Sequence, residues 1–236
     1  MANGKLAAAS VHVFTASGVL AGFAAFIAAM GHRWEIAFAW LALATLIDGI
    51  DGPLARHFEV KKHLPRFSGE RLDLVIDYFT YVVVPAFMIY AGGLLPSGLA
   101  MFAAAIVLMT SLFHFGDIES KTEDGFFVGF PALWNVVALY LFIYPLPPGL
   151  AFAGIAVLGV LTFVPLKWVH PIRVRRWRAL TLAILAVWAG ATISAVWHGF
   201  PASPAMQTVI GFCSVYLLAR GLARSFDGQS RPPSHA

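Results

Sequence analysis

The sequence predicts an all-α fold, a polytopic integral membrane bundle of about eight transmembrane helices. Composition carries the first part of that prediction. The 236 residues are 59% hydrophobic and only 12% charged, whereas a soluble domain carries about 25% charged residues. Mean hydropathy is +0.77. Apolar runs of about 20 residues, the length that crosses a bilayer as a helix, follow one another along the chain. The placement of basic residues then supplies the count and the orientation.

The runs in order are 6–30, 36–55, 72–90, 97–115, 126–144, 150–168, 180–197 and 205–218. Gly and Pro punctuate several joints, at Gly92-Gly93-Leu94-Leu95-Pro96, Pro145-Leu146-Pro147-Pro148-Gly149 and Gly199-Phe200-Pro201. Pro cannot donate a backbone hydrogen bond, and Gly loses the most conformational freedom on ordering. The first run is long, weakly basic at its front and without a clean cleavage pattern, so no cleaved leader is expected. The single Cys213 lies inside an apolar run and has no intrachain disulfide partner. We expect one domain over residues 1–224 and a disordered polar tail over 225–236.

Charge bias fixes the orientation. Of the 16 Lys and Arg, only Arg33 falls in an odd-numbered loop. The other 15 fall at the termini or in the loops after the second, fourth and sixth runs. Basic residues accumulate on the cytoplasmic side, so both termini and those three loops are expected there. The even count of spans keeps that bias intact. Anionic lipid head groups suit the basic face. A chain this apolar is not expected to bind nucleic acid.

Against this background the acidic residues at 48–77 stand out. Asp48 and Asp51 are spaced i, i+3 near the end of the second run. Asp73 and Asp77 are spaced i, i+4 at the start of the third. Each pair shares a helical face. A carboxylate at mid-bilayer costs about 2.5–3.5 kcal/mol on insertion scales. Two neighbouring spans joined by a short loop can bring the faces together. Uncompensated, four such groups repel and take up protons. Divalent cations compensate them, and oxygen-only donors without a Cys or His cluster favour magnesium or manganese over structural zinc.

The residues around them extend the pattern. Gly52 and Ala55 share the Asp48 face and leave it without bulk. Arg56 follows and can grip phosphate oxygens with its planar fork. Gly69 opens the start of the third run in the same way. Carboxylates for metals, small residues for access and an arginine for phosphate together point to phosphoryl transfer, with a carboxylate activating the attacking hydroxyl.

Written out, the pattern is Asp48-x2-Asp51-Gly52-x2-Ala55-Arg56 … Gly69-x3-Asp73-x3-Asp77. It resembles the signature of the CDP-alcohol phosphotransferases at all eight defining positions. The departure is the spacer from 57 to 68, twelve residues where the family usually has eight. The resemblance implies a six-helix core, so two spans here are additions. It also implies that Asp48, Asp51, Asp73 and Asp77 line a two-metal site, with Asp77 as general base. Gly52, Ala55, Arg56 and Gly69 would accommodate the nucleotide and phosphates of CDP-diacylglycerol.

A second stretch runs from Asp117 through Glu119, Glu123, Asp124, Phe126, Phe127, Gly129 and Pro131 to Trp134-Asn135. It is similar to the corresponding stretch of bacterial phosphatidylcholine synthases. Phosphatidylserine synthases carry a related Phe-x-Gly-x-Pro element, but the Trp-Asn ending, the eight spans and the long spacer favour the choline branch. That resemblance implies transfer of the phosphatidyl group from CDP-diacylglycerol to choline, giving phosphatidylcholine and CMP, usually with Mn2+ (or Mg2+), in a bacterial inner membrane. Homodimers are common in such families; no residue here specifies one.

A quaternary ammonium is held by aromatic faces with an anion nearby. The candidates are Tyr78, Tyr81, Trp134, Phe126 and Phe127, with Glu70, Glu119, Glu123 or Asp124 as the anion. The remaining tryptophans read as interfacial belts. His114 and Asn135 read as interhelical hydrogen-bonding residues, and Thr15 and Ser17 as back-bonded to their own helix. Two other readings compete. Serine, inositol or glycerol phosphate could replace choline, although no Lys or Arg lies within a run away from its ends to hold a phosphorylated acceptor. A cation transporter would distribute its acids across the membrane depth, whereas here they gather at one end.

Overall fold

In the computed structural model, residues 2–117, 127–164, 167–168 and 178–229 are described. Helix α1 spans Ala2–Met30 and α2 spans Trp34–His57. A single turn, α3, covers Val60–His63. The third span is one continuous helical rod in three parts: α4 at Gly69–Asp77, a π-helical turn at Tyr78–Val83, and α5 at Val84–Ala91. Helix α6 is Ser97–Gly116, α7 is Trp134–Ile143, α8 is Pro148–Leu161, α9 is Arg178–His198 and α10 is Pro204–Gln229.

Five of the eight expected spans are helices long and apolar enough to cross a membrane: Gly4–Met30, Trp34–His57, Gly69–Ala91, Ser97–Gly116 and Arg178–His198. The other three are shorter apolar helices, Trp134–Ile143, Pro148–Leu161 and Pro204–Ala219. Two boundaries differ from the sequence reading. The fifth helix begins at Trp134, well after position 126, because Gly129 (φ +79°) and Ala132 (φ +52°) leave helical space around Pro131. The preceding residues pair instead with the end of the sixth run. Strand β1, Phe127–Val128, is antiparallel to β2, Lys167–Trp168. Gly129 abuts the Thr162 carbonyl so closely that no Cβ fits, and the Phe130 N–H donates to the Leu161 carbonyl at 3.0 Å. The sixth helix therefore ends at Leu161. At the other end of the chain, α10 continues through Gln229, into the stretch read as a polar tail.

Glycines on α1 reveal its register. A Cβ at Gly18 would lie 3.1 Å from Ile76, and one at Gly22 would lie 2.7 Å from Thr80. Ascending numbers on both sides mean that α1 and the third span run in the same direction. Gly18 also faces Ile47, while Thr15 meets Asp51, so α1 and α2 run in opposite directions. The C-terminal half of α2, the start of α4 and the N-terminal half of α1 therefore share one end of the bundle. The twelve-residue spacer is ordered there. Val60 of α3 is buried beside Ala8 and Val11 of α1, with Leu54, Ala55 and Leu64 around them.

The main apolar core lies further along. It joins Val82, Met88 and Ile89 to Val107, Trp134 and Ile155. Helices α9 and α10 are tied to α7 by neutral polar groups. Trp188 Nε1 donates to the Tyr140 hydroxyl at 2.8 Å, which bonds the Ser214 hydroxyl. Tyr144 donates to the Gln207 carbonyl at 2.7 Å, and Gln207 Nε2 returns to the Ile143 and Ala202 carbonyls at 3.1 and 2.9 Å.

Candidate active site

Three of the four signature aspartates converge. Asp48 of α2 and Asp73 and Asp77 of α4 each present a carboxylate oxygen within 4.8 Å of the others. Helix geometry places them. Asp48 is nine residues from His57 and Asp77 is eight from Gly69, so at 1.5 Å per residue both lie about 12–14 Å from their helix ends. Helix α4 starts three residues before the expected third span, with the Arg71 N–H donating to the Ser68 hydroxyl at 3.3 Å. This cap sinks Asp77 deeper than the apolar run alone indicates.

Asp51 lines the same cleft but is turned towards α1, where its buried carboxylate is hydrogen-bonded to Thr15. The cleft wall is completed by Gly18, Ala44, Ile47, Ile76 and Thr80. It is a small, partly open space, and its size suits ions and phosphate oxygens. Like charges about 5 Å apart repel by roughly 3 kcal/mol at an effective dielectric near 20. A set of three oxygen donors is the kind that takes a hard divalent cation. The residues fit such an ion, and Asp48, Asp73 and Asp77 are the ones that would hold it.

The remaining signature residues surround this cleft. A Cβ at Gly52 would lie 3.4 Å from Arg56 Nη1, so the exposed arginine lies back across the glycine. Ala55 packs towards α3 and α1. Gly69 faces the ring of His12, 3.3 Å from where its Cβ would be. Pro53 lies inside α2 and removes the intrahelical donor for the Gly49 carbonyl, between the two aspartates of this helix.

The aromatic candidates separate. The Tyr81 hydroxyl donates to Asp48 Oδ2 at 2.8 Å. Tyr78 points elsewhere, donating to the Leu108 carbonyl at 3.0 Å with its ring edge-on to Phe115. Trp134 is fully buried, its Nε1 donating to Ser111 at 2.7 Å and its ring against Phe130. Glu70 is exposed in the first turn of α4. Glu119, Glu123, Asp124 and Phe126 lie outside the described residues. Asn135 does make an interhelical bond, to Thr45 at 3.4 Å.

Helix α1 is the contribution that the acidic pattern did not disclose. Ser17 back-bonds to the Phe14 carbonyl at 2.6 Å, as expected. Thr15 instead serves Asp51, because burial on the α2 side puts a carboxylate within its reach. His12, one turn earlier, has a buried Nε2 and stacks edge-on to Phe67 at 6.4 Å. The available signal was the pair His12 and Thr15, polar residues on one helical face with Ala8, Gly18 and Gly22 in an otherwise mostly apolar run.

Two carboxylate-bearing helices, a small-residue face and an arginine at the rim define a phosphotransferase of the membrane. The profile of the CDP-alcohol phosphatidyltransferase family matches residues 10–165, and the chain belongs to that family. It is similar to proteins named phosphatidylcholine synthase. The one from Mesorhizobium japonicum is 46% identical over 179 residues, covering 76% of this chain and 67% of the relative. The one from Bradyrhizobium diazoefficiens is 42% identical over 213 residues, 90% of this chain and 79% of the relative. The one from Pseudomonas aeruginosa is 45% identical over 184 residues, 78% and 77% respectively. The protein is a phosphatidyltransferase enzyme.

Proposed function

We propose that this enzyme makes phosphatidylcholine by transferring the phosphatidyl group of CDP-diacylglycerol to choline. The observation that carries the reading is the convergence of Asp48, Asp73 and Asp77 within 4.8 Å, in a chain whose relatives bear that name. The cleft end of the bundle faces the cytoplasm of a bacterial inner membrane, where the basic loops gather. Lipid tails then stay among the apolar helix faces, and the cytidine stays in water.

Asp77 accepts the proton of the choline hydroxyl. The choline oxygen forms a bond to the phosphorus that bears the lipid, the bond from that phosphorus to the bridging oxygen breaks, and CMP leaves with the electron pair. Arg56 at the rim grips the diphosphate, and Gly52 and Gly69 keep the approach open. Asp48, Asp73 and Asp77 would hold the divalent cation, and Asp51, which lines the same cleft, would join a second ion by turning from Thr15. When bound, such ions neutralise the diphosphate and the charge that develops as CMP departs. Tyr81 is the choline candidate nearest these carboxylates, and its ring can carry a cation–π contact.

The purified protein, given CDP-diacylglycerol, Mn2+ and a panel of choline, serine, inositol and glycerol phosphate, is expected to release CMP fastest with choline. Faster release with serine would overturn the acceptor while leaving the transfer chemistry in place.

A further inference from the structure

The Tyr81 hydroxyl reaches from the third span to the second to donate to Asp48 Oδ2 at 2.8 Å. Its position follows from the sequence. Pro85 has no N–H for the carbonyl of Tyr81, four residues earlier, and its ring crowds that carbonyl. The helix responds with the wider π turn at Tyr78–Val83, a distortion that recurs at functional sites. Tyr81 sits on that turn, four residues beyond Asp77.

Further groups stand behind the tyrosine. Thr45, three residues before Asp48 on α2, lies beside the Tyr81 hydroxyl and donates to the Leu41 carbonyl at 3.0 Å. Asn135 at the start of α7 donates from Nδ2 to Thr45 Oγ1 at 3.4 Å. The asparagine is itself fixed, because its Oδ1 accepts the Val136 N–H at 2.8 Å. Asn135 thus donates to the threonine beside the tyrosine, and Tyr81 donates to Asp48. A carboxylate that accepts a fixed neutral donor on one oxygen cannot swing freely, and partners of this kind orient metal-binding groups.

We propose that Tyr81 is a positioning residue of the acidic cleft. Its hydroxyl fixes one oxygen of Asp48 and leaves the other for the cation, while Thr45 and Asn135 hold the tyrosine in place. This rests on the reading of the cleft as a cation site. It assigns the tyrosine hydroxyl a task separate from any contact of its ring with the acceptor.

The test is Mn2+ titration of the detergent-purified protein, following free Mn2+ by electron paramagnetic resonance, with choline kinetics in parallel. Tyr81→Phe keeps the ring and removes only the hydroxyl. It is expected to weaken Mn2+ binding about tenfold or more. The same variant is expected to regain activity as Mn2+ is raised and to leave KM for choline unchanged. Thr45→Val is expected to weaken Mn2+ in the same direction by less. Unchanged Mn2+ binding in a folded Tyr81→Phe protein overturns the inference, and a raised choline KM beside it reassigns Tyr81 to the acceptor. If Tyr81→Phe fails to fold, unchanged Mn2+ binding in Thr45→Val overturns it instead. A wild-type protein that binds no Mn2+ removes the cation-site reading itself, and this inference with it.

Discussion

The acidic cleft and the polar junction of α7 with α9 and α10 both place polar groups in apolar helices, yet they are built in opposite ways. At the junction every named partner is neutral. Trp188 and Ser214 both bond the Tyr140 hydroxyl, and Gln207 and Tyr144 serve backbone carbonyls. In the cleft three carboxylates crowd within 4.8 Å, and one neutral donor, Tyr81, is seen on Asp48. Interhelical hydrogen bonds in membranes contribute on average about 0.6 kcal/mol and at most about 1.7. An intramembrane carboxylate costs about 2.5–3.5 kcal/mol. The junction therefore adds modestly to stability, whereas the cleft opposes it. Groups that oppose folding are placed there by the chemistry they serve.

Substitutions can break that contrast. The largest effect is expected from Asp77→Asn. It removes the proton acceptor and one cation donor, so kcat should fall at least about a hundredfold, within the range of general-base losses. The melting temperature in detergent should hold or rise, since a repelling charge is gone. Retained turnover removes Asp77 as base. Next is Gly22→Leu, which drives a side chain into Thr80 and Phe79, the threonine lying only 2.7 Å from where the new Cβ would be. Overpacking of this kind costs about 1–3 kcal/mol. Because it pushes on the π turn beyond Asp77, activity should fall together with stability in denaturant titrations. Normal activity in a destabilised protein would show that the cleft tolerates movement of α1. The smallest effect is expected from Trp188→Phe. Loss of its bond to Tyr140 should lower stability by about 0.6 kcal/mol and leave kcat and metal dependence unaltered. A change in metal dependence would mean that the junction and the cleft are coupled.

Much of the site was legible because helix periodicity is a local property. Asp48, Asp73 and Asp77 fall on facing surfaces once two spans are joined by a short connection, and Gly52 beside Arg56 follows from i, i+4 spacing. The fifth and sixth helices were less legible. The fifth apolar run reads through Gly129 and Pro131 and the sixth through Thr162, because hydropathy does not register that Gly129 takes a positive φ and lies against the Thr162 carbonyl. Asp51 and Thr15 were also beyond reach. Their pairing depends on the rotation of α1 against α2, which no spacing within either helix encodes.

By itself the sequence determined the membrane class, the eight apolar segments, the acidic pattern and the family to which it belongs. Each is written in composition or in spacing along a single helix. Only the tertiary structure decided which carboxylates converge, that Asp51 turns to Thr15, that Trp134 is sealed in the core, and that Tyr81 reaches Asp48. Those outcomes depend on how helices are rotated and how far they slide against one another. That is set by the packing of small residues such as Gly18 and Gly22 and by the π turn before Pro85, where non-local contacts outweigh local preference.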